Sequence, residues 1–218
     1  DGLVGIALQQ RQGLARAALA AGVPDVEVVF PAALLRIGVG LGHAQHQVGL
    51  AQAERVAQEV AKLEPEILIA SPLKRARQTA DAIAATTGLE VIDDTDWYEL
   101  SFGTWDGKSI EEVKAEIPDD YQAWLNSSSY RPGGGESYDE ARIRIDEALN
   151  KLVAEHPGKK VVVVTHNGVI KSAANIAVGG PHDGVFHMDA TPCSITSISI
   201  WPSDGLRALR SLNETGHF

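Results

Sequence analysis

The sequence predicts an α/β fold: a three-layer α/β/α sandwich around a mainly parallel sheet, closed by a terminal antiparallel hairpin. Three observations predict it. The run Val161-Val162-Val163-Val164 is β-branched throughout and too short for a helix, so it reads as a strand buried on both faces. Runs of this kind are followed by segments with helical spacing of apolar residues. The last apolar stretch behaves differently. Ile195, Ile198 and Ile200 alternate imperfectly with Ser and Thr, the turn Pro202-Ser203-Asp204-Gly205 follows, and Leu206 to Leu212 returns as an antiparallel partner.

Taken in order, the first part of the chain is the least regular. Leu8 to Ala20 fits a helix ended by Gly22 and Pro24. Val26 to Phe30 fits a strand stopped by Pro31, and Ala33 to Val39 fits a second. Leu50 to Leu63 is a clearer helix, with Ala53, Val56, Ala57, Val60 and Leu63 on one face and Pro65 at its end. Glu66 to Ala70 is a short buried strand. Ser71-Pro72 opens the next helix, with Ser71 as N-cap and Pro72 at the first position. That helix carries Lys74, Arg75 and Arg77 at its start, where cations oppose the macrodipole. They mark either an anionic ligand or a solvated basic face.

Leu89 to Ile92 is a strand, followed by a loop with no helical or strand period, Trp97 to Gly107. Its aromatics surround one carboxylate, Glu99. Such surroundings can raise a carboxyl pKa and make a proton donor, or the aromatics can be plain packing beside an exposed acid. Ser109 with Glu112 and Ser137 with Glu140 are capping boxes that start two helices. Pro118 to Ser129 is partly helical. The turn Pro132-Gly133-Gly134-Gly135 between them could cradle a phosphate. The helix after Ser137 buries Tyr138, Ala141, Ile145, Ala148, Leu149 and Leu152, and ends at His156-Pro157-Gly158. Thr165-His166-Asn167-Gly168 then stands where a parallel strand hands over to a helix. Ligands collect at such carboxyl ends, and backbone N–H groups at a helix start favour anions. His166 there either serves a ligand or caps the helix.

Composition bounds the function. The net charge of −10 argues against nucleic acid or a membrane surface as the main partner. The single cysteine, Cys193, excludes a disulfide framework and a cysteine-rich metal site. No stretch resembles a signal peptide or a membrane span, and a cytoplasmic setting fits. One shift in usage is sharp: up to Ala70 the chain has no Ser, Thr, Asn, Tyr or Trp, and Lys62 is its one lysine. Residues 1–49 are therefore read as an atypical Ala/Gly-rich segment, and 50–218 as the main domain.

These motifs, in sequence order, resemble the histidine phosphatase (phosphoglycerate-mutase-like) superfamily. The matching pieces are Leu50 to Arg55, Ser71 to Thr79, Glu99 to Gly107, Pro132 to Ser137 and Val164 to Ile170. The stretches Asp189 to Pro192 and Leu212 to His217 are most similar to the phosphatase domain of actinobacterial ribonuclease H/acid phosphatase fusions, related to α-ribazole phosphatases. The three acidic residues before Leu50 are too sparse for the ribonuclease part's metal site. The resemblance implies phosphate-monoester hydrolysis through a phosphohistidine, without metal or cofactor. It implies Arg75 and His166 as phosphoryl ligands, Glu99 as proton donor, and Asn167 and Gly168 as further substrate-binding residues. The partner would be a small-molecule phosphate ester, and the chain a monomer or homodimer.

The family opens with a strand ending in Arg-His-Gly, whose histidine is the nucleophile, and this motif is missing. Counting back from the Leu50 helix by the usual loop lands near Val23 to Val26, where there is no histidine. His43 follows a possible strand and is the one substitute, although its distance from the helix is too short. Two explanations compete: a pseudo-phosphatase that binds a phosphorylated ligand without turning it over, or a first segment that is not the native translation of its DNA. The second is preferred, and re-sequencing that finds no frame encoding Arg-His-Gly would remove it. A mutase ranks below both, because the chain lacks long active-site insertions.

Overall fold

The computed structural model describes residues 26–33 and 43–218, with side chains in the first helix described from residue 49 onward. Among these residues six strands form one sheet in the order β3-β2-β4-β1-β5-β6. They are β1 (Val26–Pro31), β2 (Ile67–Ala70), β3 (Val91–Asp93), β4 (Lys160–Val164), β5 (Ile195–Trp201) and β6 (Leu206–Glu214). The pairs from β3 to β1 are parallel, and β5 and β6 add antiparallel strands. The helices are α1 (His43–Lys62), α2 (Lys74–Thr87), α3 (Ile110–Glu116), α4 (Pro118–Leu125), α5 (Tyr138–Glu155) and α6 (Asn167–Ala177). The expected architecture is thus observed. No helix among the described residues is long and apolar enough to cross a membrane.

Strand periodicity divides the core into two layers. Val28, Phe30, Val161 and Val163 point to one face and pack with Ile145 and Leu149 of α5 and Ile170 of α6. Val29, Val162 and Val164 point to the other, against Val56 and Val60 of α1 and Ile83 of α2. All of these are essentially fully buried. Each such side chain contributes about 1.5–3 kcal/mol of transfer free energy, which is why the valine run has to be a central strand.

Local signals translated well where they were self-contained. Both capping boxes form: Ser109 and Ser137 accept from the N–H groups of Glu112 and Glu140, whose carboxylates accept in return. Elsewhere tertiary context moved a boundary. The first helix begins at His43 rather than Leu50. Gly49 lies inside it, since a helical glycine costs only about 1 kcal/mol. The second begins at Lys74, with Leu73 as an extended N-cap and no side-chain cap. Ser71, expected to cap, is buried in another bond described below. The helix expected over 8–20 and most of the strand expected over 33–39 lie outside the described residues.

Candidate active site

β1, β2 and β4 run parallel, so their carboxyl ends share one edge of the sheet. A cavity of about 630 Å³ opens there. Arg75 from the first turn of α2, Glu99 from the loop after β3, and His166 from the end of β4 all line it. Three segments far apart in sequence are brought together by the parallel order of the strands.

His166 is the N-cap residue of α6, in extended conformation, and only 2% exposed. Its Nε2 lies 2.8 Å from Ser71 Oγ, while its buried Nδ1 has no partner among the described residues. Burial, then the positive charges of Arg75 and Arg144, push the imidazole down to about 3. It is therefore neutral at pH 7. An anion beside it would supply the counter-charge that the protein withholds.

This shift has a stability consequence. An unfolded imidazole takes up its proton near pH 6.5 and the folded His166 only near 3, so the unfolded chain binds more protons between those values. Stability is therefore lost as pH falls through that window, by up to about 1.4 kcal/mol per unit from this group alone. Urea titrations at pH 7 and pH 5 on the chain and on His166→Gln should show a shallower loss in the variant. Equal losses would mean that burial does not hold the imidazole neutral.

Glu99 is half-buried, and its carboxyl is raised above the usual range, first by desolvation. The N–H groups of Leu100 and Gly168 and the charges of Arg75 and Arg144 pull the other way without cancelling it. Leu100 N–H donates to Glu99 Oε1 at 3.1 Å. A Cβ added at Gly168 would stand 2.7 Å from Glu99 Oε1 and 2.9 Å from Leu100 Cδ1. Gly168, expected to bind substrate, instead sits behind Glu99 and is not part of the cavity lining. Gly168→Ala should cost about 1–3 kcal/mol as an overpacking change. In a Glu99→Ala background the cost should fall by at least about 0.5 kcal/mol, measured by urea titration. An unchanged cost would separate the two residues.

Asn167 lines the cavity, but its amide N–H groups donate to Asp189 Oδ1 and the Ala190 carbonyl, both at 3.0 Å. Its donors therefore tie down a neighbouring loop. Of the three basic residues expected to face an anion, Arg75 alone lines the cavity. Arg77 pairs with Asp81 and Asp93, each at 2.8 Å, and Lys74 is exposed. The glycine turn packs against the backbone of residues 101–104. A Cβ on Gly103 would lie 2.1 Å from the Gly133 carbonyl oxygen, and one on Gly135 2.0 Å from that of Ser101. These glycines let two backbones touch and lock the aromatic loop in place.

Sequence reasoning missed Ser71 as the partner of His166. It also missed Arg144, whose Nε and Nη2 hold Glu136 at 2.9 and 2.7 Å while Nη1 holds the Asp96 carbonyl at 2.7 Å. Arg144 lay on the polar face of an amphipathic helix, where nothing local distinguishes it.

The end of β1 reaches the same cavity. Ala32 bridges Thr165, Ala33 N–H donates to the Thr165 carbonyl at 2.6 Å, and both alanines are in the lining. Residues 46–215 match the histidine phosphatase superfamily, branch 1. The chain belongs to that superfamily. A bifunctional protein of Mycobacterium tuberculosis is 31% identical over 150 residues, 69% of this chain and 41% of its own length. Mycobacterial glucosyl-3-phosphoglycerate phosphatase in complex with inorganic phosphate superposes with a TM-score of 0.76 at 25% identity, over 88% of this chain and 99% of that one. A histidine-to-alanine mutant of phosphoserine phosphatase from Entamoeba histolytica, in complex with phosphoserine, gives 0.74 at 25% identity over 88% and 99%. The chain spans roughly half the length of the curated relatives it matches, from 41% to 59%.

For a histidine phosphatase the end of β1 is the unusual feature. The strand that should deliver Arg-His-Gly ends in Pro31-Ala32-Ala33 beside His166. The count back from the first helix, which placed the strand end near Val23 to Val26, is thereby corrected: β1 ends at Pro31 and α1 begins at His43, a shorter connection than the usual loop. His43 opens α1, and its side chain lies outside the described residues.

Proposed function

We propose that the chain recognises the phosphoryl group of a small phosphate monoester in this cavity, and that it does so without a phosphohistidine step at β1. The observation that carries the reading is the convergence of Arg75 with a buried, Ser71-bonded His166 whose Nδ1 has no partner among the described residues. A guanidinium can bind two phosphoryl oxygens at once, and the N-terminus of α6 adds a favourable field for an anion. The names of the relatives, phosphatases for phosphoserine and glucosyl-3-phosphoglycerate among them, support a phosphate ester as the ligand class. Ala32 and Ala33 have no imidazole with which to attack phosphorus.

A second reading is metal-independent hydrolysis of the same esters. It is favoured by Glu99, whose raised carboxyl suits it to protonate a leaving oxygen. One experiment addresses both. Calorimetry with inorganic phosphate should show binding that is lost in Arg75→Ala, and p-nitrophenyl phosphate without metal should not be hydrolysed above that variant. Binding together with Arg75-dependent hydrolysis would favour the second reading. Absence of binding would end the first.

A further inference from the structure

We propose that the segment 98–113 forms a subsite for an uncharged apolar or aromatic group, so that the ligand is an aryl or alkyl phosphate monoester and not a carboxylated or doubly phosphorylated one. This rests on the phosphate-pocket reading above and names the ligand class of the same site.

The lining that comes from this segment includes Tyr98, Phe102, Trp105, Ile110 and Val113. Toward solvent, Ile110 is 44% and Tyr98 37% exposed, two of the few large hydrophobic residues that the described fold leaves uncovered. Single exposed apolar side chains need no explanation, but two lining one cavity beside buried Trp105 and Val113 make a continuous apolar wall. The wall is pre-formed. Trp105 lies 6.2 Å from Trp124 and 6.3 Å from Tyr130, and Phe102 lies 5.9 Å from Trp124, ring centroid to ring centroid. The contacts of Gly103 and Gly135 fix the backbone beneath it. A rigid apolar wall binds a flat apolar group with little ordering cost.

Charge points the same way. Besides Arg75, Glu99 and His166, the charged residues in the lining are Asp106 and Lys108. Lys108 is paired with Glu116, and Asp106 accepts from Ser101 Oγ at 3.2 Å. Within the lining of this segment Asp106 and Lys108 balance, and Glu116 from outside it already neutralises the ammonium, so the segment offers a ligand no net positive charge. A second anionic group on the ligand would have to displace Glu116 from Lys108 to find a counter-charge there.

Phosphonates test the subsite directly, because their P–C bond leaves no ester to hydrolyse and binding is read whether or not the chain turns esters over. Calorimetry on the full chain should show phenylphosphonate binding at least tenfold tighter than methylphosphonate, and phosphonoacetate no tighter than methylphosphonate. Ile110→Ser, a change at an exposed position, should reduce the phenyl-to-methyl ratio at least threefold. Methylphosphonate binding with no phenyl preference, or with phosphonoacetate the tightest of the three, overturns the subsite and leaves the phosphate pocket standing. Failure of all three to bind overturns both.

Discussion

Replacing Arg75 by alanine will weaken inorganic phosphate binding by at least about 30-fold, taking about 2 kcal/mol as the worth of one charge-assisted hydrogen bond to the anion. The residue is placed for this by the fold. The short turn Ser71-Pro72-Leu73 between β2 and α2 leaves Arg75 in the first helical turn, at the edge where β1, β2 and β4 end. Its charge is felt by both other members of the site, lowering the pKa of His166 and of Glu99. Its removal should therefore also raise both groups' pKa values, which NMR titration can read at His166. Arg75→Lys keeps the charge but not the planar fork, so it should recover only part of the affinity. Calorimetry that shows affinity within threefold of the parent chain in Arg75→Ala would move the anion elsewhere.

The second large effect is a gain. Ala33→His will raise p-nitrophenyl phosphate hydrolysis by the order of 100-fold over the chain as it stands, the scale expected when a positioned nucleophile joins an existing acid and oxyanion ligands. The sheet register selects this position. Ala32 bridges Thr165, so Ala33 stands beside His166. Val29 and Ala33 share the face on which Val164 packs. Ala33 is in the lining of the cavity. Glu99, whose carboxyl is raised by desolvation, lines the same cavity, where it would protonate a poorer, alkoxide leaving group, so the p-nitrophenolate reaction reads the nucleophile itself. The double variant Ala33→His with Arg75→Ala should lose the gain. A folded Ala33→His chain that binds phosphate and hydrolyses nothing would mean that the end of β1 does not hold the nucleophile's place.

Elements whose causes are local were legible in the residues alone. The valine run could only be a central strand, because four consecutive β-branched residues have no polar face to show to water. The capping boxes at Ser109 and Ser137 formed as read, because donor and acceptor lie within one turn of each other. The ordered motifs were enough for the family, and they pointed to Arg75, Glu99 and His166, which the fold brings to one cavity. Other residues depended on partners far away in the chain. Ser71 looked like a helix cap and became the partner of a histidine 95 positions later. Gly168 looked like a ligand-binding residue and turned out to be the space into which Glu99 packs. The glycine turn looked like a phosphate cradle and is the place where two backbones touch. A segment whose composition fitted several states supplied β1 between β4 and β5. The identity of the residue beside His166, an alanine, became visible only once strand pairing had set the register, because no local pattern records which two strand ends will meet.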